Sequence, residues 1–549
     1  MSDLYDQVSN QRFSDEELQT IANFGDHVTF QDGDKIFTVG ETGACFFFIT
    51  VGNVRIDEPW EDEVICLTRH EPGEFTGDLN LMFGRPAVAE ATAEGMVEAI
   101  KVGPCSLRSL LVKDTSIGDK IIHVFQRRRE LTETGDFRGI KVIGPRGDKA
   151  TLDMREFFYR NGVGHTWLDS DGEEGLSQLE KDGLRDGTSY PVVHCSAHKA
   201  AQVNPQLSEV ANATGIQRRI PDELFDTIII GSGPSGLGAA VYAASEGLRT
   251  LVLDSVGPGG QAGSSSKIEN YAGFPTGLSG RELALRSQLQ AVKFGAEITA
   301  PCSSQGIEEL SDGNLGVVTC LGQTARTKTV IISTGVSYRT LGIDNVESYR
   351  NKGVYYAATQ VEATLCQDCP IHIIGGGNSA GQAAMFLSKY CPEVNLIIRG
   401  DDLTKSMSSY LSDRVEVNEK IKLRKNTELK EVHGDDRLKE ITLIDRETGE
   451  TSREETGGLF IFIGATPHTD FVKDTLDLDE KGFIQTGQAV AHSERWKDQD
   501  RTPCALETSM PGVFASGDVR SGTTKRVAFA IGDGALAVTC VHDYLGTYS

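Results

Sequence analysis

The pattern of apolar and polar positions changes near residue 221. There the polar segment ATGIQRRIPDELFD leads into TIIIGSGPSGLGAAVYAASEGLRTLVLD, where an apolar run, a glycine turn, a helical stretch and a second apolar run follow one another. Such an order predicts a strand, a turn, a helix and a second strand, which together form a βαβ unit.

The glycines of this unit have the GxGxxG spacing of a dinucleotide-binding turn. Gly231, Gly233 and Gly236 permit a tight turn and the close approach of a pyrophosphate, which the N-terminus of the following helix holds. The second strand ends at Asp254, whose carboxylate can accept a hydrogen bond from an adenosine ribose.

A second copy of the pattern, IHIIGGGNSAGQAAMFLSKYCPEVNLIIRG, begins at residue 371. Gly375, Gly377 and Ala380 take the three turn positions, and the second strand ends at Arg399. An arginine at this position suits a 2′-phosphate, so NADPH is preferred over NADH. Two dinucleotide units imply two dinucleotides, and hydride exchange between a nicotinamide and a flavin is the economical reason to bind both.

The first 220 residues have two other patterns. Residues 28 to 56 alternate short apolar runs with glycine turns, which predicts many short β-strands. Residues 138 to 215 predict a strand, a helix, a strand, a Tyr190-Pro191 step that enters a further strand, and a final helix.

Composition narrows the classes of function. The 549 residues carry a formal net charge of -25, which would repel nucleic acid and anionic membranes. The first residues are acidic and polar, and no apolar run is long enough to span a bilayer, so the cytoplasm is expected. Eleven scattered cysteines do not form the disulfide framework of a secreted protein, and most are expected to be reduced packing residues.

From residue 222 to 549 the chain resembles the low-molecular-weight thioredoxin reductases. The shared motifs are GSGPSG at 231 to 236, GGQ at 259 to 261, IENYAGFP at 268 to 275, STG at 333 to 335, GGGNSA at 375 to 380 and GVFASGDV at 512 to 519. The resemblance implies an α/β chain with two Rossmann-like domains, in which an NADPH domain (340–465) interrupts an FAD domain (222–339 and 466–549). The cofactor-binding residues that the two turns and the resemblance together indicate are Gly231, Gly233, Gly236, Asp254, Gly260, Gln261, Asn270, Gly517, Asp518 and Arg526 for FAD, and Gly375, Gly377, Asn378, Ser379, Ala380 and Arg399 for NADPH.

The N-terminal region carries two weaker resemblances. Residues 1–135, through PGEFTGDLNLMFGRPAVAEATA, resemble a cyclic-nucleotide-binding β-roll with a helical tail, and Gly77, Asp78 and Leu79 fit its ribose-gripping segment. The phosphate-binding arginine of that family is replaced by Ala87, while Arg85 lies on the other side of Pro86. A phosphate without a charge partner is costly to bury, so a structural or dimerising role is expected.

Residues 136–221 resemble a thioredoxin or glutaredoxin fold. The resemblance suggests that Pro191 is the cis-proline of that fold. The loop GPRGDKAT, where a dithiol would stand, contains no cysteine.

The internal dithiol of the reductases is also missing. The segment GVYYAATQVEA has Ala357 and Gln360 where the family has two cysteines, and neither side chain carries electrons. A different CxxC follows at Cys366 and Cys369, either as ordinary turn thiols or as a redox pair, and turn thiols are expected.

These features lead to three hypotheses. The first is an NADPH-dependent FAD oxidoreductase that passes electrons to an external small-molecule or protein acceptor. The second is a disulfide reductase that uses Cys366 and Cys369 or a partner dithiol, and the third is a non-catalytic flavoprotein sensor or scaffold. The resemblance implies a homodimer, and no nucleic acid or membrane partner is expected.

Overall fold

The chain forms two compact units, of which the first comprises Met1–Ser264, Gly280–Gly335 and Thr469–Ser549 and the second Ser265–Ser279 and Val336–His468. The division of the chain into five domains stays a prediction. Asp78, Ala357 and Gln360 lie outside the described residues. A computed structural model describes residues 11–546 except 61–62, 78, 88, 135–139, 146–147, 185–187, 196–200, 218, 266–267, 269, 351, 357, 359–361, 364–365, 367 and 498.

The first part of unit one is an antiparallel β-roll, as the short apolar runs predict. Aromatic side chains fill it: Phe46 and Phe75 are buried, and each ring lies 5.7 Å from the ring of Phe125 on the helical tail. The roll closes because the tail covers its open side. Its strands are Asp26–Phe30, Lys35–Phe37, Phe46–Trp60, Glu63–His70, Phe75–Thr76 and Glu90–Val102, and its helices are Asp15–Ala22, Leu79–Met82, Pro104–Lys113 and Thr115–Thr134.

A four-stranded sheet with three helices follows, and we call it the thioredoxin-like module (residues 140–213) after the resemblance of its sequence. Its first two strands are parallel, its last two are antiparallel, and the Tyr190-Pro191 peptide bond is cis, as that resemblance suggests. The strands are Ile140–Gly144, Thr166–Asp169, Val192–Cys195 and Ala201–Val203, and the helices are Lys149–Arg160, Glu173–Lys181 and Leu207–Ala213.

The rest of unit one is a seven-stranded sheet in which segments far apart in sequence pair. The strand Phe225–Ile230 is buried on both faces: Ile228 and Ile230 enter one apolar core and Ile229 enters another. Helices supply residues to the core of Ile229, whereas strands and connecting segments form the core of Ile228 and Ile230. The strands are Phe225–Ile230, Thr250–Leu253, Glu297–Thr299, Ser304–Glu309, Leu315–Thr319, Thr324–Ile332 and Val513–Ala515, and the helices are Pro234–Ser245, Gly280–Lys293 and Val527–Gly546.

The second unit contains a five-stranded parallel sheet and a three-stranded antiparallel sheet. The parallel strands are Val354–Tyr355, Gly458–Ile461, Ile371–Ile374, Val394–Ile397 and Ile421–Arg424, with helices Asn378–Leu387 and Ser409–Glu416. The antiparallel strands are Thr427–Gly434, Leu438–Asp445 and Thr451–Glu455, and a separate pair joins Val336–Tyr338 to Ala465–Pro467.

One disulfide is present, and nine cysteines are free. Cys504 and Cys540, whose Cα atoms lie 6.0 Å apart, join the segment before the last strand to the last helix. The sequence gives no signal for this pair, because the two cysteines meet only through tertiary packing. Of the helices whose residues the structure describes, none combines the length and apolar character that a bilayer-crossing segment needs.

The disulfide is expected to stabilise unit one. It closes a loop of 36 residues, which corresponds to about 3–4 kcal/mol of unfolding free energy in the loop-entropy model. Replacing Cys504 and Cys540 with serine should lower the denaturant midpoint in urea, whereas Cys320→Ser, at an exposed free thiol, should not. Equal midpoints for the double variant and the wild type would contradict a stabilising role.

Candidate functional site

The first glycine turn brings backbone so close together that side chains do not fit. Gly231 has φ +103°, and a Cβ there would lie 2.4 Å from the carbonyl oxygen of Ser333. A Cβ on Gly236 would lie 1.8 Å from the carbonyl oxygen of Gly231. The helix that starts at Pro234 thus begins directly against the strand end, and no side chain of its N-cap residue Gly233 caps its first N–H groups, which leaves them for an anion.

Three buried serines tie this turn to two other strand ends. Ser516 Oγ lies 2.8 Å from Ser235 Oγ and 2.7 Å from Ser333 Oγ. The hydroxyl contacts join the helix start to the ends of strands Thr324–Ile332 and Val513–Ala515. Sequence reasoning missed this cluster, although small polar residues directly after buried strands are a signal for it.

The carboxylate of Asp254 stabilises the first glycine turn by accepting hydrogen bonds. Its Oδ2 accepts hydrogen bonds from Ser232 N and Ser232 Oγ, both at 2.7 Å, and its Oδ1 accepts from Val256 N at 2.9 Å and Gly257 N at 2.8 Å. These four bonds use the lone pairs of the carboxylate. The role of Asp254 toward a ribose stays a prediction.

The loop that follows Asp254, the 254–261 loop, lies against the glycine turn. Gly259 N donates to Ser232 O at 2.8 Å, and a Cβ on Gly260 would lie 2.8 Å from Gly233 Cα. Gln261, at the end of the loop, is partly buried. The structure therefore brings together the predicted residues of the turn and of the GGQ motif.

Asp518 offers a hydrogen-bond acceptor near the same strand ends. It is half-buried, and burial raises the pKa of its carboxyl to about 6, against a smaller opposite effect of Lys525. Among the described residues, no hydrogen-bond donor reaches this carboxylate. Its neighbour Gly517 is held by Asp533, which accepts from Gly517 N at 3.2 Å and from Arg520 Nη2 at 3.0 Å.

Two of the residues that are predicted to bind FAD are exposed. Arg526 is exposed directly before the helix Val527–Gly546. Asn270 belongs to the second unit, where it is exposed in a segment closed by the bridge between Ile268 and Leu278.

The second glycine turn repeats the steric constraint of the first. Gly375 has φ +146°, and a Cβ there would lie 2.4 Å from Phe462 O and 3.2 Å from Ala380 Cβ. Gly377 is the N-cap of the helix Asn378–Leu387. Two side-chain contacts hold the turn: Ser406 Oγ donates to Gly376 O at 2.8 Å, and Asn378 Oδ1 accepts from Ser408 N at 2.8 Å.

The polar side chains near this turn differ in their exposure and in their hydrogen-bond and ion-pair partners. Arg399 is exposed, and among the described residues its guanidinium has no hydrogen-bond or ion-pair partner. Lys405, by contrast, pairs with Asp401 at 2.7 Å. Ser379, in the first turn of the helix, is exposed. Arg399 is thus a cation at this strand end that is available to an anionic ligand.

The two thiols of the CxxC segment differ in exposure. Cys366 is 1% exposed, its Sγ lies 3.3 Å from Gly457 O, and burial raises its pKa to about 12. Cys369 is exposed, and both cysteines are free. Thiol exchange needs a thiolate, which Cys366 does not supply at neutral pH.

Comparison with known proteins gives consistent similarities. Residues 225–534 match the family described as pyridine nucleotide-disulphide oxidoreductase, and residues 27–114 match the cyclic nucleotide-binding domain. Thioredoxin reductase from Streptomyces clavuligerus is 34% identical over 325 residues, 59% of this chain and 94% of that protein. The Bacillus subtilis enzyme of the same name is 32% identical over 326 residues, 59% of this chain and 96% of that protein.

A solved structure gives the same similarity. The crystal structure of thioredoxin reductase from Streptococcus pyogenes covers 60% of this chain and 100% of its own, with a TM-score of 0.52 at 34% identity. About three fifths of this chain therefore correspond to nearly the whole of these relatives.

The first glycine turn should not tolerate a side chain at Gly236. Because the added Cβ would lie 1.8 Å from Gly231 O, the helix start must move, and Gly236→Ala should weaken FAD binding by about tenfold or more. Fluorescence titration of the apoprotein with FAD measures this. Gly306→Ala is the control, because its Cβ meets no atom within 4 Å; wild-type affinity in the Gly236 variant would refute the constraint.

Proposed function

Because this chain belongs to the pyridine nucleotide-disulphide oxidoreductases of the thioredoxin reductase type, we propose that it passes electrons from NADPH through FAD to an external acceptor. One observation carries the proposal: Ala357 and Gln360 occupy the positions where the relatives' internal dithiol is expected. The enzyme is therefore a reductase without a dithiol relay of its own at that place.

The residues of unit one fit FAD. The first glycine turn places the start of the helix Pro234–Ser245 against the strand end, where backbone N–H groups can bind a pyrophosphate, and the 254–261 loop lies beside it. Asp518 supports the fit because its half-buried carboxylate, with its raised pKa, suits a hydroxyl donor such as a ribityl chain. Bound FAD supplies the chemistry of accepting a hydride and releasing two electrons.

The residues of the second unit fit NADPH. The turn at Gly375 has the same shape constraint as the first. An exposed guanidinium at Arg399 can bind a 2′-phosphate with two parallel hydrogen bonds. The neighbouring Lys405 is paired with Asp401, so Arg399 carries the expected preference for NADPH.

The burial of Cys366 argues against disulfide reduction through the CxxC segment. A dithiol relay needs one thiolate nucleophile and one resolving thiol. Cys366 is buried beneath Gly457 and Gly458, where a Cβ on Gly458 would lie 2.8 Å from its Sγ, and its thiol stays protonated. A dithiol on a partner protein remains one class of external acceptor, and the homodimer stays a prediction.

Anaerobic titration with NADPH tests the proposed function. The absorbance of bound FAD should bleach with about one equivalent of NADPH, since one hydride carries the two electrons that FAD takes. Reoxidation should then be screened with a thioredoxin, a ferredoxin and a quinone. Persistent oxidised absorbance would instead favour the sensor or scaffold.

A double variant, Cys366→Ser with Cys369→Ser, separates the two enzyme hypotheses. Serine at position 366 retains a donor for Gly457 O, so the local packing changes little. Unchanged turnover with the acceptor found in the screen supports an external acceptor. Loss of turnover with intact FAD bleaching by NADPH would establish the disulfide reductase.

The affinity for FAD should depend on pH through Asp518. Without FAD the carboxyl has a pKa of about 6, and a hydroxyl donor favours the charged form, so binding lowers the pKa and releases a proton. Affinity therefore rises as the pH rises toward 6 and levels off above it. Fluorescence titrations across this range should show a flat profile for Asp518→Asn; the same slope in both proteins would exclude Asp518 as the titrating group.

A further inference from the structure

Asn161 contacts three parts of unit one. It lies at the end of the helix Lys149–Arg160 and is 1% exposed. Its Nδ2 donates to Phe157 O at 2.9 Å within the thioredoxin-like module and to Val256 O at 2.7 Å in the 254–261 loop. Its Oδ1 accepts from Arg85 Nη2 of the β-roll at 3.3 Å. Every hydrogen of this amide group is used, so its orientation is determined by the three partners.

The 254–261 loop is built to approach Asn161. Val256 packs against the apolar core of the thioredoxin-like module. Gly257, with φ +158°, leaves the space that the approach needs, because a Cβ there would lie 2.7 Å from Asn161 Nδ2 and 3.0 Å from Arg160 Cβ. One side of the loop is therefore held by the thioredoxin-like module, while Gly260 on the other side lies against the glycine turn.

The β-roll reaches Asn161 through the segment that resembles a phosphate-binding cassette. Arg85 is 8% exposed and donates to Asn161, and a Cβ on Gly215 would lie 2.3 Å from Cγ of the adjacent Pro86. The Arg85 side chain thus runs toward the thioredoxin-like module. Ala87, where the resembled family has its arginine, is buried and carries no charge.

We propose that Asn161 is a positioning residue for FAD: through it the thioredoxin-like module and the β-roll hold the 254–261 loop in its flavin-binding shape. The inference rests on the proposed function for the identity of the cofactor. Without the amide, Val256 O loses its donor in a partly buried place, and a loop with an unsatisfied carbonyl adopts other conformations. In this proposal the β-roll and the thioredoxin-like module help the enzyme to retain FAD, and neither needs to contact the electron acceptor.

The test is Asn161→Ala, with FAD affinity measured by fluorescence titration of the apoprotein. We expect FAD to bind about tenfold more weakly, the size of effect that the loss of the hydrogen bond to Val256 O produces when its acceptor is left without a donor. The visible circular dichroism of bound flavin should also change, since the loop around it changes. The affinity for NADP⁺, bound by the second unit, should stay at the wild-type value. Asn212→Ala is the matched control, because Asn212 is an exposed asparagine of the same module.

A second variant addresses the case in which Asn161→Ala does not fold. Gly257→Ala leaves Asn161 in place and pushes the loop away from it, and it should weaken FAD binding in the same direction. A fall in thermal stability with wild-type FAD affinity and an unchanged flavin spectrum would overturn the proposal. These measurements need no turnover, so a protein that binds FAD but is not reduced by NADPH would refute the proposed function and leave this inference standing.

Discussion

The contact between the backbones of Gly231 and Gly236 is the constraint on which unit one depends. A Cβ at Gly236 would lie 1.8 Å from the carbonyl oxygen of Gly231, and a Cβ at Gly231 would lie 2.4 Å from that of Ser333, so the helix can start at the strand end only when both positions lack side chains. That start sets where Ser235 meets Ser516 and where Gly260 meets Gly233. Three segments distant in sequence therefore converge because two residues have no Cβ atoms.

The elements that follow from local pattern were predictable. Both glycine turns and the strand-rich roll appear as the sequence indicates. In each case the signal lies within a short window, as an apolar period or a glycine spacing, whereas the cis bond at Pro191 was expected only from the resemblance to a thioredoxin fold. Such features depend on neighbours along the chain, so one sequence is enough to predict them.

The features that depend on distant contacts were not predictable. The sequence around Asn161 does not predict that its amide binds both Arg85 and Val256, because these two residues are 76 and 95 positions away. The sequence also does not predict the pairing of Cys504 with Cys540 or the four hydrogen bonds of Asp254, because both form only in the folded chain. The position of Asp254 at the end of a second strand predicts a ligand contact, but it does not predict these four donors, which come from Ser232, Val256 and Gly257.

The pairing of strand Val513–Ala515 with Thr324–Ile332 has a consequence for synthesis. A ribosome releases the chain from its N-terminus, and domains generally fold as they emerge. Residues 336–468 of the second unit emerge complete while the sheet of unit one still lacks a strand and its last helix. The nascent chain therefore carries an unfinished sheet edge until the strand Val513–Ala515 has been made, so the sheet of unit one is completed after the second unit has emerged.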